Sequence, residues 1–202
     1  MDTQIDDESR ESLAHRIDLV AAMIAEGKNS TARRGWIFVT WGLVYIVAIM
    51  WNWFLPQKEW AWPVCIAFGL ITIILGRARH RHLNNSESTQ SRSIDAVWGW
   101  FGKAVLLYVI VAGASHHLQE PSYDAAILIF FGAAHAVSAS ILRWNLQKGV
   151  AILWFAGGAA TFFVTPHTAV VIFLVATVLG LVCFGIYAMS IERRLSTGAD
   201  YV

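Results

Sequence analysis

The chain has 202 residues, of which 56% are hydrophobic and only 14% are charged, whereas an ordinary soluble domain has about 25% charged residues. Its mean hydropathy is +0.52. Because a soluble domain of this size must cover itself with polar side chains, this composition excludes a secreted disulfide scaffold, a disordered regulator and a typical cytosolic enzyme. The formal net charge of +1 gives no overall attraction to nucleic acid.

Residues 1–34 are predicted to form a cytoplasmic segment that contains an amphipathic helix. The segment opens with acidic and polar residues, which is the opposite of the basic start of a signal peptide. Ser9 is the expected N-cap of the helix and Gly27 its expected end. Such a helix either docks on a membrane surface or a partner, or folds against the cytoplasmic face of its own bundle, and the pattern leaves both open. Its apolar stripe consists of Leu13, Ile17, Val20 and Ile24.

Six apolar runs follow, and a helix needs roughly 20 mostly apolar residues to cross a bilayer. Because hydrocarbon offers no hydrogen-bond partners, continuous runs of this kind are helices rather than strands of a barrel. We therefore predict an all-α membrane protein whose residues 35–190 form six transmembrane helices, arranged as three hairpins, with residues 191–202 as a cytoplasmic tail. The predicted spans are 35–55, 60–76, 96–115, 125–142, 149–164 and 168–190.

The lysines and arginines predict the orientation of these spans. Thirteen of the fifteen precede span one, lie between spans two and three or between four and five, or follow span six. Lys58 alone lies on the other side, and Lys103 falls inside span three. Since cytoplasmic loops carry the excess of basic residues, both termini are expected in the cytoplasm.

Motifs of known chemistry are missing from the sequence. No Asp or Glu lies inside any of the six spans, and there is no zinc-protease helix motif, nucleophile elbow, phosphate-binding loop or dinucleotide-binding fingerprint. We therefore predict no catalytic residues, no enzymatic activity and no cofactor. The arginine-rich run at residues 77–82 suits anionic lipid, and it comes with no nucleic-acid-binding motif.

Two ionisable residues lie inside predicted spans. Lys103, the eighth residue of span three, either lines a path as a buried cation or extends back to the cytoplasmic headgroups, which is the favoured interpretation. His135, the eleventh residue of span four, is a candidate cofactor-binding residue for haem, a metal or proton transfer. More often such a histidine forms a hydrogen bond with a Ser, Thr or Tyr on the next helix.

A second group of histidines lies on the predicted outer face. His116, His117 and His167, close to Glu120 and Asp124 in the predicted topology, are candidate ligands for Zn²⁺ or Cu²⁺. They come from two loops without motif spacing, so solvated histidines are the favoured interpretation.

Several local patterns extend along nearly the whole chain. Trp41 precedes Gly42 in span one, Trp98 precedes Gly99 in span three, and span four ends before Arg143. With its amphipathic lead helix, the chain resembles a group of uncharacterised six-span bacterial inner-membrane proteins. The resemblance implies a multi-pass protein of the cell inner membrane, and it brings no activity and no site residues.

Two functional hypotheses follow. The first is a non-enzymatic module that senses, scaffolds or modulates a protein partner docked on the N-terminal helix. The alternative is a small-solute carrier or a haem- or metal-binding membrane protein that uses His135 or the outer-face histidines. A carrier requires a polar cavity at the centre of the bundle, so a packed or hollow centre separates it from the first hypothesis. The sequence leaves the oligomeric state open.

Overall fold

The computed structural model describes residues 2–56, 60–80, 89–115 and 121–198. Within these ranges the chain is helical and contains no strand. The last two α-helices are joined through a π-helical segment, so that residues 166–198 form one uninterrupted helical run. The helices are α1 Asp2–Arg33, α2 Gly35–Phe54, α3 Ala61–His80, α4 Thr89–Ala114, α5 Pro121–Leu142, α6 Asn145–Thr161, α7 Pro166–Thr177, the π-helical segment Val178–Cys183, and α8 Phe184–Gly198.

Four helical stretches in the described ranges are long and apolar enough to cross a membrane. They are Gly35–Phe54, Ser91–Ala112, Ser122–Leu142 and Pro166–Ile191. A fifth apolar stretch, Ala61–Gly76, is shorter. The described chain is therefore all-α, and these stretches indicate a membrane-embedded protein. The crossings by α3 and α6 stay predictions.

The ends of α6 differ from those of the predicted span 149–164. The helix begins at Asn145 and ends at Thr161. The chain then turns, with the amides of Phe162 and Phe163 donating to carbonyls three residues earlier. Thr165 caps α7, whose first residue is Pro166. Proline has no amide hydrogen and suits the first position of a helix, which explains why the apolar run divides here.

Close packing holds the bundle together, because lipid tails are as apolar as the buried side chains and supply no hydrophobic driving force between helices. Trp154 is the largest side chain that is fully buried, and it stacks on Phe131 with 4.6 Å between ring centroids. The central cluster also includes Phe38, Leu128, Phe173, Leu181 and Phe184.

Helices α5 and α6 are joined by a two-residue turn of Arg143 and Trp144. Arg143 has a φ of 47°, the only positive value among non-glycine residues that the structure describes. The amide of Trp144 donates to the carbonyl of Ala139 at 3.0 Å, which closes the end of α5. An arginine therefore occupies the left-handed position where helix ends usually carry glycine.

Helix α1 does not end at Gly27 as predicted, nor does it begin after Ser9. It runs from Asp2 to Arg33, and Thr31 Oγ1 donates to the Gly27 carbonyl at 3.1 Å inside it. Glycine in a helix interior costs about 1 kcal/mol relative to alanine. Packing of this end of α1 against α4 and α8, where Thr31 and Ala32 are buried, offsets that cost.

Candidate functional site

His135 lies in α5 with no exposed surface. Its ring is surrounded by aromatic rings from four other helices. The centroid distances are 5.7 Å to Phe38 on α2, 5.1 Å to Trp98 on α4, 6.4 Å to Trp154 on α6 and 5.3 Å to Phe184 on α8. We call these five residues the His135 cluster, and it is the point where five helices meet.

The polar atoms of the His135 cluster do not pair with one another. Neither imidazole nitrogen forms a hydrogen bond, and neither do the indole nitrogens of Trp98 and Trp154 or the hydroxyl of buried Ser138. The expected hydrogen bond from His135 to a hydroxyl on a neighbouring helix is therefore not formed. Buried polar groups are usually hydrogen-bonded. The unpaired nitrogens and hydroxyl at the centre of this bundle are exceptions to that rule.

The geometry of the cluster is that of an aromatic core. His135 meets Trp98 and Phe184 edge to face, at 82° and 89°, and lies nearly parallel to Trp154 at 12°. Each such aromatic pair contributes about 0.5–1.5 kcal/mol beyond its buried area. The described residues contain no group of three or more His, Cys, Asp or Glu that could hold a metal ion. The contacts that the structure shows around His135 are therefore aromatic packing contacts.

The sequence analysis assigned neither Trp98 nor Phe38 and Phe184 to this cluster, and Trp98 is the least expected of the three. Its place near the start of span three is typical of a headgroup anchor, yet the ring is half-buried and also contacts Phe101 at 5.3 Å. The signal was present in the helical spacing of Trp98, Phe101 and Val105 along one face of α4, all of which pack on the core.

The outer-face histidines are only partly described. His116 and His117, with Glu120, lie outside the described residues. His167 is exposed and stacks on Trp53 with 5.3 Å between centroids and 3° between planes. The structure therefore brings His167 to an indole ring at the end of α2.

Two shallow grooves lie at the outer surface of the described part of the bundle. One is lined by Leu174, Val175, Val178 and Leu179, and the other by apolar residues of α2. The centre around Trp154 and His135, by contrast, is filled by side chains with no exposed surface.

Three of the four residues in the apolar stripe of α1 are not covered by the bundle, and the fourth, Ile24, is half-buried. Leu13, Ile17 and Val20 are 59%, 60% and 49% exposed, and every residue from 12 to 22 is exposed. Contact with the rest of the chain begins near the end of the helix. There Ser30 and Ser91 share a hydrogen bond of 2.8 Å, and Arg34 forms an ion pair with Asp95 on α4.

Lys103 does not line a path inside the bundle. It lies on the exposed side of α4, with its Nζ 4.2 Å from the ring centroid of Trp100, one turn earlier. Only 6% of the most apolar 18-residue stretch of α4 is made up of buried residues, whereas this share is 28% to 56% in the other three spanning stretches. The opposite side of α4, including Trp98 and Phe101, packs on the core.

Comparison with protein-family models, with curated proteins and with solved structures finds no match for this chain.

Proposed function

We propose that this chain is a non-enzymatic membrane module that scaffolds, senses or modulates a protein partner, and that the partner docks on α1. The observation that carries the proposal is the exposed apolar stripe of α1, since Leu13 and Ile17 are more than half exposed. Contiguous exposed apolar surface on a polar helix is typical of a contact surface.

The attachment of α1 supports this role. Its last turn is tied to α4 by the Ser30–Ser91 hydrogen bond and, just beyond it, by the ion pair of Arg34 and Asp95. Residues 12–22, all of them exposed, extend over about 16 Å at 1.5 Å per residue. A helix that is fixed at one end and uncovered along this length presents its stripe in a defined position relative to the bundle.

The packed centre favours this proposal over a small-solute carrier. Trp154, Leu128 and His135 have no exposed surface, and the two grooves described above lie at the outer surface of the bundle. A carrier binds its solute near the middle of the membrane, in a cavity lined by interrupted helices. The described core offers aromatic packing at that depth instead.

We further propose six crossings, with both termini in the cytoplasm of a bacterium and the chain in its inner membrane. The short apolar stretch of α3 and the short helix α6 then complete the three hairpins. The apolar stretch Ala61–Gly76 and the 17 residues of α6 each span about 25 Å. That is slightly less than the hydrocarbon thickness, and local thinning of the bilayer accommodates the difference.

Site-specific photocrosslinking in intact cells tests the docking proposal. A photoreactive amino acid at Ile17 is expected to capture one discrete protein, whereas the same amino acid at Ala22, on the opposite side of α1, captures none. Ile17→Glu abolishes the captured species when the crosslinker is placed at Leu13, and Ala22→Glu leaves it unchanged. Equal capture at both positions, or crosslinking to lipid alone, would refute the proposal.

The second candidate function is haem or metal binding, and one observation favours it. Both nitrogens of His135 are buried without a hydrogen-bond partner, and imidazole nitrogen is a common ligand of both groups. A Soret band or a stoichiometric metal in the purified protein, lost in His135→Phe, supports this function. A colourless, metal-free protein rejects it.

A further inference from the structure

Lys103 places a positive charge on the membrane-facing surface of the bundle. It lies within the spanning stretch Ser91–Ala112 and is exposed. A charged side chain inside the bilayer costs at least a few kcal/mol unless it is paired or reaches water. Among the described residues no carboxylate pairs with Lys103, and its only recorded contact is with the ring of Trp100.

The Lys103 ammonium group lies beside Trp100, one turn nearer the start of α4 and itself within the spanning stretch. Trp100 lies five residues after Asp95, the acidic residue of the ion pair with Arg34, and therefore about 7 Å further along the axis of α4. The ring is itself 69% exposed, so the pair faces outward together. The charge is thus displaced from the end of the helix at which α1 is attached.

The surface around Lys103 allows another helix to approach closely. A Cβ atom placed on Gly99 or Gly102 would meet no atom within 4 Å. Gly99, Lys103 and Leu106 recur at intervals of four and three, which places them on one exposed side of α4. Small residues at such positions let helix backbones come together in a membrane. We call Gly99, Gly102, Lys103, Leu106 and Ile110 the α4 face.

The charge determines which kind of partner the α4 face fits. A second copy of this chain brings another Lys103, and Asp95, the only carboxylate on α4, is already paired with Arg34. Outside α4, the carboxylate that the described spanning stretches contain is Asp124, whose neighbour Tyr123 stacks on Tyr108, five residues beyond Lys103. A symmetric contact between two α4 faces would therefore bring two like charges together without a counter-charge from the face itself.

We propose that the α4 face binds a transmembrane helix of a different protein, and that this helix carries an Asp or Glu at the depth of Lys103. The carboxylate pairs with the Lys103 ammonium, and Gly99 and Gly102 admit the partner backbone. This inference rests on the proposed function as a module for protein partners and adds a second contact inside the membrane. It is independent of docking through α1.

Reconstitution of the full chain with designed transmembrane peptides tests the proposal. The probe is a Leu/Ala helix of about 22 residues with one Asp at its centre, compared with the same peptide carrying Asn or Leu there. Association is measured by fluorescence energy transfer in phosphatidylcholine nanodiscs. We expect the Asp peptide to bind at least about tenfold more tightly than the Asn and Leu peptides.

Variants of the chain test whether the preference for the Asp peptide depends on the α4 face. Lys103→Met removes the preference for Asp, Lys103→Arg retains it, and Gly102→Leu weakens binding of the Asp peptide by blocking approach. The matched control Lys148→Met changes a basic residue at the start of α6 and leaves binding unchanged. Equal binding of the Asp and Asn peptides, or an unchanged preference in Lys103→Met, overturns the proposal.

Anionic lipid provides the remaining comparison. The measurement is repeated with phosphatidylglycerol in the nanodisc, because a lipid phosphate is the other group that pairs with a lysine near a headgroup. Retained preference for the Asp peptide supports the proposal. Loss of that preference, together with lipid binding that depends on Lys103, assigns the lysine to a headgroup and overturns it. If no partner docks on α1, the results expected from all of these measurements stay the same.

Discussion

Gly35 and Gly185 bring the backbones of α2 and α8 into direct contact. A Cβ atom on Gly35 would lie 2.6 Å from the carbonyl oxygen of Gly185, and a Cβ atom on Gly185 would lie 2.6 Å from that of Gly35. Real Cβ atoms do not approach a carbonyl so closely. The reciprocal contact means that neither helix can accept a side chain here without moving away from the other.

Gly185→Ala is therefore expected to destabilise the bundle by about 1–3 kcal/mol, the usual cost of inserting a methyl group into a close-packed contact. The measurement is the free energy of unfolding in mixed detergent micelles, followed by tryptophan fluorescence. Gly149→Ala is the matched control, because no atom lies within 4 Å of the added Cβ in α6. Equal stabilities of the two variants would contradict the described crossing of α2 and α8.

His135→Phe is expected to preserve the fold with little loss of stability. The imidazole makes aromatic contacts with its neighbours but no hydrogen bond, so an aromatic ring without nitrogen retains the packing and removes two unpaired polar atoms. His135→Ala leaves a cavity in the cluster and is expected to cost about 3 kcal/mol. Both values come from the same detergent unfolding measurement. A larger loss in the Phe variant than in the Ala variant would show that the nitrogens have partners.

The ion pair between Arg34 and Asp95 is expected to position α1 rather than to stabilise the bundle. The two side chains are 27% and 38% exposed, and exposed pairs contribute about 0.2–1 kcal/mol. Asp95→Asn should leave overall stability almost unchanged and raise amide hydrogen exchange in residues 23–33. The charge-reversed double variant, Arg34→Asp with Asp95→Arg, should restore protection. Arg92→Gln, one turn before Asp95 on α4, is the control, and equal exchange in all variants would refute the positioning role.

The proposed topology predicts opposite labelling of two exposed positions. In a background with Cys65→Ala and Cys183→Ala, which replaces both free cysteines, His167→Cys should react with a membrane-impermeant thiol reagent added to intact cells. Lys148→Cys, at the other end of α6, should react only after the membrane is opened. Reaction of both positions in intact cells would show that α6 does not cross.

The helices could be predicted from the sequence where a long, continuous apolar run specifies them. Span 35–55 corresponds to α2, Gly35–Phe54, within one residue at its end, because a continuous apolar run without charge is sufficient to specify such a helix. The end of α1 was not predictable in this way. Gly27 is a good helix terminator by itself, and only packing against other helices carries α1 past it.

The residues around His135 were harder to predict from the sequence than the helices, because only the packing of the helices brings them together. Hydropathy places His135 near the middle of α5, but it does not show that Trp98 and Phe184, 37 residues before and 49 residues after it, contact its ring. The π-helical segment Val178–Cys183 could not be predicted either, because its apolar residues are equally typical of an α-helix. There Gly180 lies against the Trp154 indole, a contact that only the three-dimensional arrangement reveals.

The left-handed backbone at Arg143 has a consequence for how the α5–α6 hairpin enters a bilayer. Glycine would adopt this conformation at lower cost, so the turn carries a fixed positive charge at its apex in spite of its backbone strain. A hairpin with a cation at its tip resists passage through hydrocarbon. We therefore expect the charge of Arg143 to keep this end of the hairpin on one side of the membrane.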